Sequence, residues 1–189
     1  MNECRQDKLH FVNIERDRVL MKLYITGIVA GGKTILAKRI SEKLNIPYYE
    51  LDSIAHDDSV IPRRRRTSEE QISIIKEIDR KGDYIFEGVY RESYHELLNI
   101  SDIILFLDPP LYVRRYRIIK RFIKQKLRLE KSYYKPTLHM FKCMFRWTSN
   151  FENNRDEFVR MLQIYQDKLI VAKSSMKAER IIYARIETK

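Results

Sequence analysis

A cluster of glycines between a short apolar segment and an amphipathic segment sets the fold class of this chain. The apolar segment, residues 22–26, ends at Gly27, and the pair Gly31 and Gly32 directly precedes Lys33. After Lys33, apolar side chains recur at the spacing of a helix. A strand joined to a helix by a tight glycine turn is the basic unit of an α/β fold, and it needs further strands to complete its sheet.

Apolar and helical segments keep alternating along the rest of the chain. Strands are predicted at residues 22–26, 46–51, 84–86, 102–107 and 169–172, and helices at residues 33–44, from 67 to 81, from about 112, at 154–166 and at 176–186. This alternation predicts a three-layer α/β fold with a five-stranded parallel sheet and a helical basic lid region. Ligands of such sheets bind beyond the carboxyl ends of the strands, where Gly27, Asp52, Glu87 and Asp108 stand.

The length of 189 residues fits one domain. Residues 1–20 have no clear period and are interpreted as an N-terminal extension, and residues 21–189 as the domain, with its lid or basic region at about 112–150. The longest apolar run, residues 103–107, is far too short to span a membrane, and the N-terminus does not resemble a secretion signal. We therefore expect a cytoplasmic protein with no membrane partner.

The positive charge of the chain is concentrated in one segment. The net charge is +11, and residues 112–146 hold 12 basic residues and a single acid, Glu130. Outside this segment, basic and acidic residues balance. A local excess of one sign predicts a local anionic partner, whereas an even excess would indicate little beyond solubility.

The glycine cluster matches the phosphate-binding pattern G-x-x-x-x-G-K-[ST] in the context that the pattern requires, after a strand and at the start of a helix. Its backbone N–H groups and the positive end of the helix suit phosphate oxygens. Lys33 adds a charge toward the β- and γ-phosphates, and Thr34 offers a hydroxyl to Mg²⁺. ATP and Mg²⁺ are the predicted cofactors. The predicted nucleotide-binding residues are Gly27, Ala30, Gly31, Gly32, Lys33 and Thr34.

Several segments of the chain, taken in order, resemble a known family. The matching pieces are GIVAGGKT, YYELDSI, DYIFEGVYR, DIILFLDPP and RRYRIIKR, followed by FRWTSNF. Over about residues 21–174 the chain resembles the adenylate-kinase-like, or nucleoside-monophosphate-kinase-like, branch of P-loop NTPases. More closely, it is similar to the FlaR-related topology modulation proteins of that branch. The resemblance implies an ATP-dependent kinase fold and activity.

The segment from Glu87 to Arg91 is similar to the Asp-Gly-Phe-Pro-Arg segment of adenylate kinases, with Glu in place of Asp and Val-Tyr in place of Phe-Pro. By this resemblance Glu87 would hold Mg²⁺ through water, and Arg91 would grip the phosphate of the acceptor. A carboxylate near the metal, on a strand beside the loop strand, is also what phosphoryl transfer needs. The alternative is that Glu87 caps a turn and Arg91 is a solvated helix residue.

Two further aspartates end predicted strands. Asp52 lies where related small-molecule kinases keep an acid near the acceptor hydroxyl, so it is either a general base or substrate-binding residue, or an ordinary turn residue. Asp108 also resembles a metal-binding acid by pattern. Glu87 is favoured over Asp108 for the metal, because the third strand usually neighbours the loop strand, and Asp108 before two prolines is interpreted as structural.

The helix from about Tyr112 has two stripes. We expect the apolar stripe to pack and the basic stripe to face a ligand. The apolar stripe is Tyr112, Tyr116, Ile119, Ile123 and Leu127, and the basic stripe is Arg114, Arg117, Arg121, Lys124 and Arg128. By the family resemblance, Arg117 and Arg121 after Pro110 would close over ATP as part of a lid and act as catalytic residues. The alternative is a solvated charged face.

Two functions remain open at this point. The favoured one is a Mg²⁺- and ATP-dependent phosphotransferase acting on a small, anionic acceptor, with Lys33, Asp52, Arg117 and Arg121 as catalytic residues and Asp52 and Arg91 on the substrate. The basic cluster of residues 63–66 either binds an anionic acceptor or is a solvated loop. The alternative function is a DNA-associated P-loop ATPase affecting DNA topology, because aromatic residues interleave with the basic ones. Those aromatic residues are Tyr133, Tyr134, Phe141, Phe145 and Trp147.

Overall fold

The computed structural model describes residues 21–129 and 136–187. These residues form seven strands, of which five make one parallel sheet in the order β2-β5-β1-β6-β7 and two, β3 and β4, make a small antiparallel hairpin. The strands are β1 (Lys22–Thr26), β2 (Tyr48–Glu50), β3 (His56–Asp57), β4 (Arg64–Arg65), β5 (Tyr84–Gly88), β6 (Ile103–Leu107) and β7 (Leu169–Ala172). The helices are α1 (Lys33–Leu44), α2 (Leu51–Ile54), α3 (Ser68–Arg80), α4 (His95–Ile100), α5 (Leu111–Lys126), α6 (Leu138–Gln163) and α7 (Ser175–Glu187).

The predicted three-layer architecture is confirmed. Successive side chains of a strand point to opposite faces, so Leu23 and Ile25 join one core cluster while Tyr24 joins the other. Helices α1 and α7 cover the first face and α3, α4 and the C-terminal part of α6 cover the second. Both faces are apolar, as expected of a buried parallel sheet.

Strand β1 lies at the centre of the sheet, between β5 and β6. The chain returns to one side of β1 for β2 and β5, and to the other side for β6 and β7. The direction of winding therefore switches at the carboxyl end of β1, which is where ligands of open α/β sheets bind. The glycine cluster begins at this point.

Several boundaries differ from the sequence predictions. Strand β2 is shorter than residues 46–51, because Leu51 already begins α2. Helix α6 begins at Leu138 rather than near residue 154, with the Thr137 hydroxyl accepting a hydrogen bond from the Met140 N–H at 3.2 Å. Helix α4 and the β3–β4 hairpin were not predicted, because they are short and have little periodicity. The predicted capping box at α3 is confirmed, with Thr67 and Glu70 bonded reciprocally.

The predicted packing of α5 is wrong for its apolar stripe and for Arg114. The apolar stripe from Tyr112 to Leu127 is exposed, and Arg114, placed by sequence on the ligand-facing stripe, is only 1% exposed. Two of the three Arg114 guanidinium nitrogens have partners where the side chain lies: Nε donates to the Pro109 carbonyl at 3.0 Å, and Nη2 pairs with the Glu152 carboxylate. Helix α5 therefore packs on α6 through its Arg114 side.

Within residues 21–129 and 136–187, no helix combines the length and apolar character needed to cross a bilayer. The predicted extension, residues 1–20, lies outside the described residues.

Candidate active site

The loop between β1 and α1 has a backbone that its glycines make possible. Gly27 has φ of +149°, and a Cβ there would lie 2.4 Å from the Leu107 carbonyl oxygen. Gly32, the N-cap of α1, has φ of +97° and brings no side chain over the first turn of the helix. Ala30 takes a left-handed φ of +59° although it is not glycine. The bend thus leaves the N-terminus of α1 open to an anion.

Lys33 is buried at the base of this loop, with 8% of its surface exposed. Its Nζ donates to the Ile28 carbonyl at 3.2 Å. Burial lowers the pKa of Lys33, and the negative charges of Glu87 and Asp52 oppose that effect. The positive charge of Arg121 lowers the same pKa further, so Arg121 acts on the same region as Lys33. A buried ammonium beside a phosphate-shaped loop is stabilised by any anion that binds there.

Thr34 and Glu87 meet across the gap between α1 and β5. The Thr34 hydroxyl donates to Glu87 Oε1 at 2.7 Å, and Glu87 is 5% exposed. Glu87 lies on β5 directly beside β1, paired with Ile25, as the sequence predicted. Burial raises the pKa of Glu87, with Lys33 and the Thr34 hydrogen bond opposing and the carboxylates of Glu50 and Asp52 reinforcing the increase.

This pair fits a magnesium ion. A hydroxyl and a carboxylate are hard oxygen donors, and Mg²⁺ in phosphoryl-transfer sites takes few protein ligands besides phosphate and water. A cation would also relieve the unfavourable burial of the Glu87 charge. In the described part of the chain, no group of three or more His, Cys, Asp or Glu forms a fuller metal site.

Asp52 and Arg91 are brought together on the β2–β5 side of the loop. Arg91 Nη2 donates to Asp52 Oδ1 at 2.8 Å, and Arg91 Nη1 donates to the Tyr94 hydroxyl at 3.2 Å. Asp52 stands in the first turn of α2 rather than at the end of a strand, and 70% of its side chain is exposed. The pair is therefore partly exposed to solvent, and the charge of Asp52 affects the pKa of both Lys33 and Glu87.

A buried hydrogen-bond network, which was not predicted from the sequence, supports the Asp52–Arg91 pair through Tyr94. The Tyr94 hydroxyl contacts Gln71 Oε1 at 2.5 Å and the Leu51 carbonyl at 3.3 Å. Gln71 in turn donates to the Arg66 carbonyl at 2.8 Å. The only signal in the sequence was a glutamine on the apolar side of α3, which is unusual for a core position.

Asp108 is occupied by an ion pair. It is 6% exposed, and Arg155 on α6 donates to its Oδ2 from Nε at 2.9 Å and from Nη2 at 2.6 Å. Such a two-pronged contact ties α6 to the end of β6. This agrees with the structural interpretation of Asp108, whereas Arg155, 47 residues away, was not singled out in the sequence.

Arg117 connects α5 to the loop. Its Nη1 donates to the carbonyls of Ala30 and Gly31 at 3.2 and 2.6 Å, and the same atom lies 3.3 Å from where a Cβ of Gly32 would be. The prediction that Arg117 lies over the nucleotide loop is thus consistent with the structure. Its role in catalysis stays a prediction.

The basic cluster at residues 63–66 is largely neutralised by nearby acids. Arg63 pairs with Asp58, and Arg64 pairs with Glu70 at 2.8 Å. Arg66 lies 3.3 Å from Asp57 and donates to the Ile54 carbonyl at 3.0 Å. These pairs fix the β3–β4 hairpin, and they account for three of the four arginines without an anionic ligand.

Two aromatic residues of the basic segment, Phe141 and Phe145, pack against other side chains of the protein. Phe141 stacks on Phe122 with ring centroids 4.7 Å apart and on Phe145 at 4.9 Å. Of the others, Trp147 is 44% exposed, and Tyr133 and Tyr134 lie outside the described residues. The two phenylalanines are therefore used in the α5–α6 contact rather than presented for stacking on bases.

Comparison with curated proteins shows that the chain is similar to a kinase. A cytidylate kinase from Staphylothermus marinus is 31% identical over 117 residues, which cover 54% of this chain and 63% of that protein. The match thus spans a little under two thirds of the length of the curated relative. No family model matches the chain.

Solved structures show the same architecture. A shikimate kinase from Acinetobacter baumannii, in complex with shikimate, superimposes with a TM-score of 0.55 at 13% identity, over 91% of this chain and 96% of that one. An uncharacterised protein from Eubacterium ventriosum gives 0.53 at 17% identity, over 88% and 98%. The chain has the fold of P-loop kinases. These comparisons give no support to a nucleic-acid partner.

Proposed function

We propose that this protein is a Mg²⁺-dependent kinase that transfers the γ-phosphoryl group of ATP to a small, anionic acceptor. The observation that carries the proposal is the 2.7 Å contact between the Thr34 hydroxyl and the buried Glu87 carboxylate. Together with Lys33 it forms a compact set of one cation and two hard oxygen donors at the N-terminus of α1. That set is what a metal-bound triphosphate requires.

The nucleotide side of the site works by charge and position. The N–H groups of the loop and Lys33 bind the phosphate oxygens, and Arg117 lies above the loop to neutralise charge that develops during transfer. Arg121, whose charge is felt at Lys33, acts in the same way. Thr34 and Glu87 would hold Mg²⁺, which when bound screens the charge between the β- and γ-phosphates.

The acceptor side is built from Asp52 and Arg91. Arg91 is held by Asp52 and Tyr94, so its guanidinium is positioned before an acceptor arrives. We assign it to the anionic group of the acceptor. Asp52 orients the acceptor hydroxyl or phosphate oxygen and receives its proton if one is released.

The relatives suggest which acceptors to try first. A cytidylate kinase and a shikimate kinase are named for a nucleotide and for a hydroxy acid, both of which are small anions. The closer resemblance to FlaR-related topology modulation proteins, the division into an extension at 1–20 and a domain at 21–189, and cytoplasmic location stay predictions.

The test is turnover of ATP with cytidylate, other nucleoside monophosphates and shikimate, in the presence and absence of Mg²⁺. Lys33→Ala should abolish turnover, while Lys76→Ala, an exposed lysine on α3, serves as the matched control. Turnover by Lys33→Ala at the wild-type rate would contradict the site. Binding of ATP without transfer to any acceptor would instead contradict the kinase activity.

A further inference from the structure

The outer face of α5 carries an exposed apolar stripe, called here the α5 stripe. It consists of Tyr112, Tyr116, Ile119, Ile123 and Leu127. Between 43% and 74% of each residue's surface is exposed. Spacings of three and four residues put all of them on one side of the helix, opposite the buried Arg114, Ile118 and Gln125. Scattered exposed apolar residues are common, but a continuous stripe along a whole helix marks an interaction surface.

Basic side chains border the α5 stripe on both edges. At 100° per residue, Arg115 and Lys126 fall along one edge and Lys120 and Lys124 along the other, and all four are exposed. No acidic residue occurs anywhere in Leu111–Lys126. The stripe therefore has an apolar centre and a cationic border on each side, over a helix about 24 Å long at 1.5 Å per residue.

The apolar centre and the cationic borders of the α5 stripe together favour one class of partner over two others. A second copy of the same face would oppose basic borders to basic borders, which repel each other. Nucleic acid would use the basic borders and the rings of Tyr112 and Tyr116, but the three aliphatic residues of the stripe offer bases neither a ring to stack on nor a polar atom. An anionic lipid surface matches both parts, because it presents negative headgroups above an apolar layer.

We propose that the α5 stripe binds an anionic lipid surface, with the helix axis in the plane of the interface. Ile119, Ile123 and Leu127 enter the acyl boundary, while Tyr112 and Tyr116 lie at headgroup level, as aromatic side chains with one polar end do. The lysine and arginine stems extend along the apolar surface and bring their charges to the headgroups. This proposal departs from the sequence-based expectation of no membrane partner.

The docked helix would hold the candidate active site close to the lipid. Arg117 lies on the same helix and contacts the loop carbonyls of Ala30 and Gly31. The stripe and the loop are therefore on one rigid element and its immediate neighbour. Lipid binding is nevertheless independent of the kinase assignment, since it needs no nucleotide.

The experiment is flotation of the full-length protein with vesicles of phosphatidylcholine and phosphatidylserine, compared with phosphatidylcholine alone. Wild type should float with the anionic vesicles only, and added salt should release it, because exposed charges are screened. Ile119→Ser with Ile123→Ser should weaken binding about tenfold or more, given the transfer free energy of an isoleucine side chain. Ile164→Ser, which alters a more exposed isoleucine at the end of α6, should bind like wild type.

A second pair of variants tests the borders. Lys120→Gln with Lys124→Gln should weaken binding to anionic vesicles about tenfold, at roughly 1 kcal/mol for each lysine near the surface. Lys76→Gln is the control, an exposed lysine on another helix. Circular dichroism and thermal unfolding confirm that every variant is folded, which is expected because all the altered side chains are exposed.

Any of four results would overturn the proposal. One is failure of wild type to float with anionic vesicles at low salt. Another is equal flotation of wild type and the Ile119→Ser, Ile123→Ser variant, which would show that charge alone retains the protein. The third is a dimer in solution that the stripe variant converts to monomer, which would assign the face to a second copy. Displacement from vesicles by duplex DNA, with DNA binding lost in the stripe variant, would assign it to nucleic acid.

Discussion

The Thr34 hydroxyl and the Glu87 carboxylate, 53 residues apart in the chain, form a 2.7 Å hydrogen bond between the start of α1 and the end of β5. Glu87 is 5% exposed, so its charge is held in a medium that solvates it poorly. The buried charge of Glu87 should therefore lower the free energy of unfolding. This effect can be measured at a residue that is also predicted to bind the metal. Sites that bind cations commonly keep such a cost in the unliganded protein.

Glu87→Gln should separate stability from function. Burial raises the pKa of Glu87 in the folded protein above its unfolded value, so the protonated form stabilises the fold. That contribution is complete below the unfolded pKa and is lost as pH rises through the folded pKa. Gln cannot ionise, so the variant should gain stability relative to wild type as pH rises from 4 to 8 in urea unfolding.

The same variant should lose function. With one oxygen donor replaced by an uncharged amide, the apparent affinity for Mg²⁺ in ATP turnover should fall by about 10- to 100-fold. Glu77→Gln, on the exposed part of α3, is the control, because it should leave turnover unchanged. A variant that is destabilised at pH 8 would contradict the assignment of an unfavourable buried charge.

Gly27→Ala should lower the free energy of unfolding by far more than conformational strain alone would. The added Cβ would lie 2.4 Å from the Leu107 carbonyl oxygen, which is backbone and cannot move aside. We expect a loss of about 3 kcal/mol or more in the free energy of unfolding, together with loss of nucleotide binding. Gly82→Ala separates the two causes, because Gly82 has φ of +111° but nothing within 4 Å of a Cβ. It should cost only about 1–2 kcal/mol.

Arg91→Ala and Asp52→Asn should affect the acceptor and spare the nucleotide. Their ion pair is exposed on the Asp52 side, so the free energy of unfolding should change by about 1 kcal/mol or less. The KM of the acceptor should rise about 10- to 100-fold for Arg91→Ala, as for loss of a charged hydrogen bond, while the KM of ATP stays constant. An equal rise in both KM values would place the pair outside the acceptor site.

Arg114→Ala should be among the most destabilising single changes in α5. The side chain is 1% exposed and pairs with Glu152, so its removal leaves a carboxylate without its buried partner. About 1–3 kcal/mol should be lost in urea unfolding, because the Glu152 carboxylate that loses its partner is 33% exposed and partly solvated. The adjacent Arg115→Ala alters an exposed side chain and should stay within about 0.5 kcal/mol of wild type. Similar stability of the two variants would contradict the reversed orientation of α5.

Features that depend on neighbouring residues along the chain could be predicted from the amino-acid sequence. The glycine loop before α1, the capping box of Thr67 and the acid at the end of β5 are all local, and each was found where it was predicted. Alternating strands and helices also implied the parallel sheet, because parallel strands need crossovers between them. The carboxyl ends of β1 and β5 then had to share one edge, which placed Glu87 beside the loop.

Which side of α5 is buried depends on its packing against α6, and this could not be predicted from the sequence. The pattern of the helix shows two stripes, and an apolar stripe is ordinarily the one that packs. Here Glu152 on α6 and the Pro109 carbonyl accept hydrogen bonds from Arg114, so this member of the basic stripe is buried. The apolar stripe is left exposed. Likewise, Arg91 pairs with Asp52, 39 residues away in the chain, and Arg155 pairs with Asp108, 47 residues away. Such pairs depend on which distant segments come together in the folded chain, and the spacing of residues along the sequence does not predict those contacts.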